Sequence, residues 1–240
     1  MIITKNFQGF TIKEYEILDS TNEEAKRILQ SQKNISLHKN IIIANSQTAG
    51  KGRYEREWIS EEGNLFASFI FDVSKENSPQ NFSYFFALAI AKLLENLGLL
   101  PVIKWPNDVL IDDKKICGIL LEKQGDFLIC GVGLNIKSSP QYLIDRKTTC
   151  LADLGFERDK NFCLNEIIKN LDAILLEEKN FGFAKIAEKI NSYLKKNFAE
   201  INLYNKKIAG EIIMVDNEGL LEFKVGDELK KLSSGEVFFL

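Results

Sequence analysis

Four strand-like segments in the middle of the chain are joined by turns that are too short for a crossover. Apolar runs rich in β-formers occupy residues 102–105, 109–111, 116–122 and 127–136. The connections are tight polar turns, such as Asp112-Asp113-Lys114 and Gln124-Gly125-Asp126. Parallel neighbours need a crossover of about a dozen residues or more, whereas antiparallel neighbours can be joined by a hairpin. The pattern therefore predicts antiparallel pairing and disfavours a doubly wound parallel sheet.

The remaining periodicity predicts an α+β protein with a small β domain at its C-terminal end. Helical spacing of apolar residues predicts helices over residues 21–32, 82–97, 164–179 and 183–196. Two further strands are predicted at residues 41–44 and 65–71. From Ile208 onward the pattern changes to short strands separated by turns. We therefore predict a central mixed or antiparallel sheet with helices over residues 1–204. A small β-barrel or sandwich is predicted over residues 205–240, with the boundary near Tyr204.

Composition excludes several classes of function. The net charge of −3 over 240 residues argues against a dedicated nucleic-acid binder. The one histidine, His38, lies in a polar run, so neither a multi-histidine zinc site nor a Ser-His-Asp triad is expected. The four cysteines form no Cys-x-x-Cys pair and are expected to be buried thiols. The apolar run at residues 85–91 is too short to span a membrane, and the opening residues lack the apolar region of a signal peptide. These features predict a soluble, cytoplasmic protein without a membrane or nucleic-acid partner.

The densest cluster of functional residue types lies at residues 47–58, directly after a predicted strand. Residues 50–58 combine two glycines with three cations and one of the two tryptophans. Glycines let backbone N–H groups approach a polyanion closely, and the cations add positive charge. A Walker A loop is excluded because Asn45 replaces its first glycine and Gly52 replaces its Ser or Thr. A solvated surface loop is the alternative, although a bulky aromatic such as Trp58 is an uncommon choice for a mobile loop.

Two more clusters follow downstream. A Lys-Trp-Pro-Asn-Asp segment at residues 104–108 precedes Lys-Ile-Cys-Gly-Ile-Leu-Leu-Glu at residues 115–122. Lys104 lies in an apolar strand pattern, where an unpaired ammonium group is costly to bury. A β-bend with a snorkelling lysine is the alternative interpretation of this segment. Glycines within residues 131–136 indicate a bulge or the close approach of a ligand.

These clusters, together with Ser-Thr-Asn at residues 20–22, resemble the biotin protein ligases. The resemblance runs in order from Ile17 to Asn135, and Ser-Gly-Glu-Val at residues 234–237 fits the family's small C-terminal domain. Its most specific part is the Lys-Trp-Pro-Asn-Asp segment with the downstream Lys-Ile-x-Gly-Ile-Leu-x-Glu. The resemblance implies a class II synthetase-like α+β catalytic domain followed by an SH3-like β-barrel, which agrees with the pattern of elements.

The resemblance also implies a two-step ligation. Biotin and ATP, delivered with Mg²⁺, give biotinyl-5′-adenylate and pyrophosphate; a lysine of a biotin carboxyl carrier protein then takes the biotinyl group and releases AMP. Neither step needs an enzyme nucleophile, and no metal site built from His or Cys is implied. A weak homodimer is the most self-association expected. Three alternatives stay open: a lipoate or octanoyl ligase or transferase of the same fold, a biotin-sensing DNA-binding regulator, and a biotin-binding scaffold without catalysis.

The resemblance assigns roles residue by residue. Lys115 is expected to be the chief transition-state stabiliser, with Arg53 and Asp108 as the other catalytic residues. The expected biotin contacts are Ser20, Thr21, Asn22, Gln47, Gly50, Lys51, Gly52, Arg53, Lys115, Gly118 and Gly133. The expected ATP contacts are Arg56, Trp58, Lys104, Asn107, Asp108 and Asn135. Ser20 has a second expected role as the N-cap of the first helix, in a capping box with Glu23.

The chain departs from the family pattern at two positions of the cluster at residues 47–58. Lys51 and Glu55 stand where many members have Arg and Gly. Lys keeps the charge but lacks the planar fork of Arg, which predicts weaker ordering of the loop. Glu55 adds a side chain and a negative charge. Members that double as repressors carry an N-terminal winged helix, and the position of the Ser-Thr-Asn motif at residue 20 predicts a short form without it.

Overall fold

Two compact units make up the computed structural model, which describes residues 2–31, 37–140, 147–203 and 206–239. The first unit comprises Met1–Ser83 and Lys114–Lys169, and the second comprises Tyr84–Asp113 and Asn170–Leu240. The strands are β1 (Ile3–Phe7), β2 (Phe10–Leu18), β3 (Asn40–Gln47), β4 (Leu65–Asp72), β5 (Val102–Lys104), β6 (Asp108–Ile111), β7 (Lys114–Gln124), β8 (Phe127–Leu134), β9 (Phe198–Leu203), β10 (Lys206–Val215), β11 (Leu221–Val225), β12 (Glu228–Leu232) and β13 (Glu236–Phe239). The helices are α1 (Thr21–Ser31), α2 (Phe82–Asn96), α3 (Lys160–Phe181) and α4 (Phe183–Tyr193).

The first unit is built on a mixed sheet in which its strands lie in the order β1-β2-β3-β4-β8-β7. β2 and β3 are parallel, and every other neighbouring pair in this order is antiparallel. The short turn between β7 and β8 makes a hairpin, as the sequence predicts. The parallel pair needs a crossover, and α1 lies in the connection between β2 and β3. The predicted α+β class and mixed sheet are confirmed.

Helix α1 packs its apolar side on this sheet. Ala25 and Ile28, three residues apart, are buried in a cluster with Ile42 of β3, Ile70 of β4 and Ile129 of β8. Burial of an Ile or Leu side chain contributes about 1.5–3 kcal/mol relative to leaving it exposed. The packing therefore holds the first turn of α1 in a defined position over β4 and β8.

The second unit contains the β5–β6 hairpin and a five-stranded antiparallel sheet in the order β12-β11-β10-β9-β13. Trp105, which follows β5, is 1% exposed and donates its indole N–H to Tyr84 Oη at 2.8 Å. Tyr84 in turn donates to the Gly219 carbonyl at 2.9 Å. Burial raises the pKa of Tyr84, so its hydroxyl stays protonated. These two bonds join the Lys-Trp-Pro-Asn-Asp segment to the turn between β10 and β11.

Several elements differ from the sequence prediction. Strands β1, β2 and β9 were not expected, and α3 begins four residues before the predicted helix start at residue 164. β9 pairs with β10, so the five-stranded sheet includes residues on the N-terminal side of the predicted boundary. Tyr204 and Gln32, where a boundary and a helix end were predicted, lie outside the described residues. The division at residue 204 stays a prediction.

The four cysteines are buried free thiols, as expected from their spacing. Burial alone raises the pKa of Cys130 and is the main cause of the raised pKa of Cys163. Among the described residues, no helix is both long and apolar enough to cross a lipid bilayer.

Asp216 anchors the turn between β10 and β11, and we expect its removal to weaken the second sheet. Its carboxylate accepts the N–H groups of Glu218 and Leu220 at 2.9 Å and the Lys231 ammonium at 2.7 Å. Burial would raise its pKa, but these three bonds outweigh burial and lower the pKa below 3.8. We expect Asp216→Ala to lower the free energy of unfolding by about 1–3 kcal/mol, measured by urea denaturation at pH 7.

The pH dependence supplies the check on this assignment. Because the pKa of Asp216 is lowered in the folded state, its stabilisation is complete above the unfolded value near 3.8 and is lost as the pH falls below it. The difference between wild type and Asp216→Ala should therefore shrink in acid. Asp227, exposed in the next turn of the same sheet, is the control, and Asp227→Ala should change stability by less than about 0.5 kcal/mol. Equal effects of the two substitutions at pH 7 would contradict the assignment.

Candidate active site

Most of the predicted site residues lie in the first unit, toward the end of its sheet where β2 and β3 finish. The start of α1, the end of β3 with the loop that follows it, and strands β7 and β8 supply them. Leu18 at the end of β2 is paired with Gln47 at the end of β3. Because these two strands are parallel, both finish at the same end of the sheet. The helix start and the loop after β3 are therefore neighbours.

Three glycines leave the sheet beneath these segments without side chains. Gly118 of β7 is paired with Gly133 of β8, and Gly131 lies two residues before Gly133 on the same face. A Cβ atom at Gly131 would lie 2.5 Å from Asn22 Oδ1, and one at Gly133 would lie 2.4 Å from the Trp58 ring. Side chains are excluded at such distances. We call Gly118, Gly131 and Gly133 the glycine floor.

A network of buried polar side chains lies at the start of α1, above this floor. Thr21, Asn22 and Ser68 are 4%, 3% and 0% exposed. Ser68 Oγ lies 2.7 Å from Thr21 Oγ1 and 2.5 Å from Asn22 Oδ1. Asn22 Nδ2 donates to Glu122 Oε2 at 2.7 Å. Buried polar groups are retained where their hydrogen bonds are made, and these four side chains satisfy one another.

Gln47 connects the start of α1 to the loop after β3. Its Oε1 accepts the Thr21 N–H at 2.8 Å. Its Nε2 donates to Ser60 Oγ at 2.9 Å, and the Ser60 hydroxyl donates to the Trp58 carbonyl at 2.9 Å. The Gln47 amide therefore fixes the position of Trp58 relative to α1.

The start of α1 differs from the predicted capping box. The Glu24 N–H donates to the Ser20 carbonyl at 3.0 Å, which confirms Ser20 at the N-cap. The Ser20 N–H, which Glu23 was expected to reach, donates instead to Asp19 Oδ1 at 2.7 Å. Arg27 holds both oxygens of Asp19, at 2.7 and 2.8 Å, and this contact lowers the pKa of Asp19 to about 2. An adjacent, fully ionised carboxylate thus takes the N–H, and Glu23 has other partners.

Those partners make a line of alternating charges. Glu23 Oε1 accepts from Lys26 Nζ at 2.8 Å and from Lys51 Nζ at 2.7 Å, and these two bonds lower the pKa of Glu23. Lys26 Nζ also lies 2.7 Å from Glu122 Oε1. Lys51, which stands where the family has Arg, is therefore tied to α1 through Glu23.

Residues 50–58, which we call the glycine loop, fold back on themselves. The Trp58 N–H donates to the Gly50 carbonyl at 2.9 Å, and the Gly52 N–H donates to the Arg56 carbonyl at 2.7 Å. A Cβ atom at Gly50 would lie 2.4 Å from the Trp58 carbonyl oxygen. Position 50 therefore requires glycine because the two arms of the loop touch there.

The tip of the glycine loop has two residues in the left-handed region. Tyr54 and Glu55 have φ values of 57° and 58°. A side chain makes this conformation unfavourable by roughly 1–2 kcal/mol, and glycine avoids the penalty. This backbone angle accounts for the glycine that the family has at the position of Glu55. Arg53 lies against the tip, with Nη2 3.1 Å from Tyr54 Oη and its guanidinium 4.9 Å from the ring centroid.

Lys115 and Trp58 meet above the glycine floor. The Lys115 N–H donates to the Lys147 carbonyl at 2.9 Å, and its carbonyl accepts the Thr149 N–H at 3.0 Å, so its backbone is fixed on both sides. Lys115 Nζ lies 5.2 Å from the centre of the Trp58 ring. Trp58 Nε1 is buried and has no hydrogen-bond partner among the described residues. The Trp58 indole therefore lies on the glycine floor with the Lys115 ammonium beside it.

Asn135 lies just beyond the end of β8 and is 2% exposed. Its Nδ2 donates to the Thr149 carbonyl at 3.0 Å, and its own N–H donates to the Ile116 carbonyl at 2.9 Å. Asn135 therefore braces the segment that holds the Lys115 backbone. Its predicted contact with ATP stays a prediction.

Lys104, Asn107 and Asp108 belong to the second unit. Lys104 and Asp108 are paired across the β5–β6 hairpin, and Asn107 lies in its turn. Lys104 Nζ lies 6.0 and 5.7 Å from the ring centres of Phe238 and Phe239 in β13. The C-terminal strand thus contacts the Lys-Trp-Pro-Asn-Asp segment within the second unit. The predicted nucleotide contacts of these three residues stay predictions.

Comparison with known proteins decides the family. The model of the Biotin/lipoate A/B protein ligase family matches residues 15–135, just over half of the chain. The chain belongs to this family. The match contains α1, the glycine loop and strands β7 and β8, which are the elements that build the site. The family expected from the motifs is confirmed, and the protein is an enzyme of the ligase class.

Curated members of the biotin/lipoate ligase family align with most of the chain. The bifunctional ligase/repressor BirA of Bacillus subtilis is 29% identical over 239 residues, which cover 93% of this chain and 72% of the relative. The biotin–[acetyl-CoA-carboxylase] ligase of Mycobacterium tuberculosis is 28% identical over 213 residues, covering 83% of this chain and 79% of that protein.

A solved family structure confirms the fold. The biotin protein ligase of Aquifex aeolicus, in complex with biotin and ATP, superposes with a TM-score of 0.83 at 27% sequence identity. The superposition covers 95% of this chain and 97% of that chain. The C-terminal antiparallel sheet is consistent with the predicted SH3-like domain.

Five residues that bond to predicted site residues, directly or through one another, were not themselves predicted as site residues; of these, Glu122 lies in the quoted motif and Glu23 in the predicted capping box. Glu122 ends the quoted Lys-Ile-x-Gly-Ile-Leu-x-Glu motif, but no role was assigned to it. Ser68 lies within an apolar strand, where a single hydroxyl is common. The unpredicted residues are Glu23, Lys26, Ser60, Ser68 and Glu122. Their contacts depend on the fold, and Asn22 and Glu122, for example, are separated by 100 residues in the chain.

The packing of Trp58 on the glycine floor predicts the effect of adding a methyl group there. A Cβ atom at residue 133 would meet the indole at 2.4 Å, so Gly133→Ala should displace Trp58 into solvent. Of the two tryptophans, Trp105 is buried and should not respond. We expect the fluorescence of Gly133→Ala to shift to longer wavelength and to become more sensitive to acrylamide quenching. In a Trp58→Phe background the same substitution should leave the emission unchanged. Emission that Gly133→Ala does not alter in the Trp58 protein would show that the ring does not rest on this floor.

Proposed function

We propose that this family member is an ATP-dependent biotin protein ligase that makes biotinyl-5′-adenylate and transfers biotin to a lysine of a biotin carboxyl carrier protein. One observation carries the proposal: a flat glycine floor is bordered on one side by buried Thr21, Asn22 and Ser68, and on the other by Lys115. Such a site offers hydrogen bonds to a compact polar ring and a cation to an anion.

The polar border favours biotin over the lipoate or octanoate alternative. Biotin carries a cyclic urea with two N–H donors and a carbonyl acceptor, whereas the octanoyl and lipoyl chains offer no donors or acceptors in that region. A site built with buried polar groups rejects an analogue that leaves them unpaired. Thr21, Asn22 and Gln47 supply such groups: Gln47 bonds to Thr21 directly, and Ser68 links Thr21 to Asn22. The names of the Mycobacterium tuberculosis and Aquifex aeolicus relatives point to the same substrate.

The first chemical step brings two anions together. A biotin carboxylate oxygen attacks the α-phosphorus of ATP, an O–P bond forms, and the bond to the bridging oxygen breaks to release pyrophosphate. Charge on the non-bridging α-phosphate oxygens increases in this step, so a preorganised cation near them lowers the barrier. Lys115 is assigned this role because its backbone is fixed and its ammonium lies at the edge of the glycine floor. Mg²⁺ enters as part of the ATP substrate.

In the second step the carrier lysine attacks the acyl carbon of the adenylate. The new C–N bond replaces the C–O bond to phosphate, AMP leaves, and the amine loses a proton. The glycine loop supports both steps through backbone N–H groups and through Arg53, whose planar fork suits carboxylate and phosphate oxygens. Arg56, Trp58, Lys104, Asn107, Asp108 and Asn135 are assigned to the nucleotide. Asp108 is further assigned to placing Mg²⁺ or the carrier lysine.

A direct test is transfer of biotin to a purified carrier domain in the presence of ATP and Mg²⁺, read by avidin blot. Parallel reactions with lipoate and octanoate, followed by mass spectrometry of the carrier, separate the two family activities. We expect modification by biotin alone. Modification by lipoate or octanoate at a comparable rate would overturn the biotin assignment.

Lys115 and its neighbour on β7 provide a matched pair of substitutions. Losing one preorganised donor to a transition state costs about a hundred- to a thousandfold in rate. We expect Lys115→Ala to lower biotin-dependent ATP–pyrophosphate exchange by this factor without loss of thermal stability. Lys114→Ala removes an exposed lysine of the same strand and should leave exchange within twofold, as a rough bound for surface substitutions. Near-normal exchange by a folded Lys115→Ala protein would remove Lys115 from the catalytic role.

A further inference from the structure

Glu122 is the one charged residue of the Lys-Ile-x-Gly-Ile-Leu-x-Glu motif to which the proposed mechanism gives no task. It lies near the end of β7, and its side chain is 26% exposed. Oε2 accepts from Asn22 Nδ2 at 2.7 Å, and Oε1 accepts from Lys26 Nζ at 2.7 Å. Each oxygen of Glu122 thus has its own donor, Asn22 of the buried polar network for one and Lys26 for the other.

The Glu122 carboxylate decides which way the Asn22 amide faces. An amide has a donor end and an acceptor end, and a hydroxyl such as that of Ser68 serves either end equally. A carboxylate only accepts, so Asn22 must present Nδ2 to Glu122 and Oδ1 to Ser68. The Ser68 hydroxyl by itself would not distinguish the two ends of the amide.

The direction then propagates along the hydroxyl groups. Each hydroxyl has one proton, and the Ser68 proton is used on Asn22 Oδ1. Thr21 Oγ1 lies 2.7 Å from Ser68 Oγ and 3.2 Å from Gln47 Oε1, so the Thr21 proton has two acceptors within reach, and the shorter contact is the one to Ser68. The lone pairs of Thr21 Oγ1 remain as acceptors, and Gln47 Oε1 faces both the Thr21 N–H at 2.8 Å and the Thr21 hydroxyl at 3.2 Å. The network thus lies between two acceptors, the Glu122 carboxylate at one end and Gln47 Oε1 at the other, and Glu122 is the one that contacts Asn22.

Lys26 contacts the second oxygen of Glu122, the one that does not face Asn22. Its ammonium is shared between Glu122 and Glu23, and although burial alone would lower the pKa of Lys26, its bonds to these two carboxylates raise it. The lysine therefore stays charged across the neutral range. Through Glu23 the same line reaches Lys51 of the glycine loop.

We propose that Glu122 is a positioning residue for substrate recognition: it orients the Asn22 amide and, through Ser68 and Thr21, sets which atoms accept and which donate toward the cyclic urea of biotin. This inference rests on the proposed function, because the urea is the group whose N–H and C=O ends must match that pattern. Glu122 itself acts through Asn22 and has no part in the phosphoryl or acyl chemistry.

The test is Glu122→Gln, which keeps the size of the side chain and adds a donor end. If the glutamine N–H₂ group faces Asn22, the Asn22 amide can turn and present Oδ1 to it. Asn22 would then present Nδ2 to Ser68, so that donor and acceptor are exchanged at that contact. Hydrogen bonds that involve a charged group correspond to roughly a ten- to a hundredfold change in affinity. We expect calorimetry to show biotin binding weakened by about this factor. We also expect kcat for pyrophosphate exchange at saturating biotin, and KM for ATP, to stay within roughly twofold of wild type.

Two further variants separate positioning from simple structural support. Ser68→Ala removes the hydroxyl at the other end of the amide and should weaken biotin binding in the same manner as Glu122→Gln, again with kcat preserved. Lys26→Met removes the ion pair but leaves the bond between Asn22 and Glu122, and its effect on biotin affinity should be less than about threefold. Thermal melts of all proteins establish that they are folded.

Each result decides the inference. If wild type binds biotin and Glu122→Gln binds it equally well, Glu122 has no positioning role. If Lys26→Met weakens binding as much as Glu122→Gln, or if kcat and stability fall together with affinity, the residue supports the fold only and the inference is overturned. If wild type itself binds no biotin, the proposed function fails first, and the inference that rests on it fails as well.

Discussion

The close approach of Asn22 and Trp58 to a sheet without side chains is the constraint on which the candidate site depends. Gly131 and Gly133 lie on the same face of β8. A Cβ atom at Gly131 would clash with Asn22, and a Cβ atom at Gly133 would clash with Trp58. The free energy of burying apolar residues of α1 draws the helix onto β4 and β8. That packing presses the polar first turn of α1 onto the same sheet. Polar groups that are buried away from water are unfavourable unless they form hydrogen bonds. Thr21, Asn22 and Ser68 are buried there, and they bond to one another.

The sequence was sufficient for most of the local elements, since these depend on patterns within a few residues. Strands β3 to β8 and helices α1 and α2 were predicted within a few residues of their ends. β1 was missed because four of its five residues are exposed, so it has no apolar alternation. β9 has only two buried residues, Ala199 and Ile201, and gives an equally weak pattern. Edge and partly buried strands are specified by their neighbours more than by their own residues.

The partners of the motif residues could not be predicted in the same way. Asn22 was expected to contact biotin, and that stays a prediction; its bond to Glu122, which joins the first helix to a strand far along the chain, was not predicted. Glu23 was expected to complete a capping box, yet Asp19, ionised by its contact with Arg27, takes the Ser20 N–H. Propensity rules rank local partners, whereas here two carboxylates compete for one donor: Asp19 is adjacent to it, and Glu23 is bound by Lys26 and Lys51 instead. The replacement of Arg by Lys at position 51 is likewise understood only with Glu23 in place.

The glycine loop combines contacts that stabilise it with features that oppose it. Backbone bonds between its arms and the ion pair of Lys51 favour the observed conformation, and an exposed ion pair contributes about 0–1 kcal/mol. Against them stand the left-handed angle of Glu55 and the buried indole N–H of Trp58, each unfavourable by roughly 1–3 kcal/mol. These opposing terms are of similar size, so the observed loop conformation has only a small advantage. A loop with this balance rearranges at low cost when a substrate offers the indole and the cations better partners. The left-handed angle at Glu55 therefore disfavours the conformation of the loop itself, whereas Lys115 and the glycine floor lie outside residues 50–58.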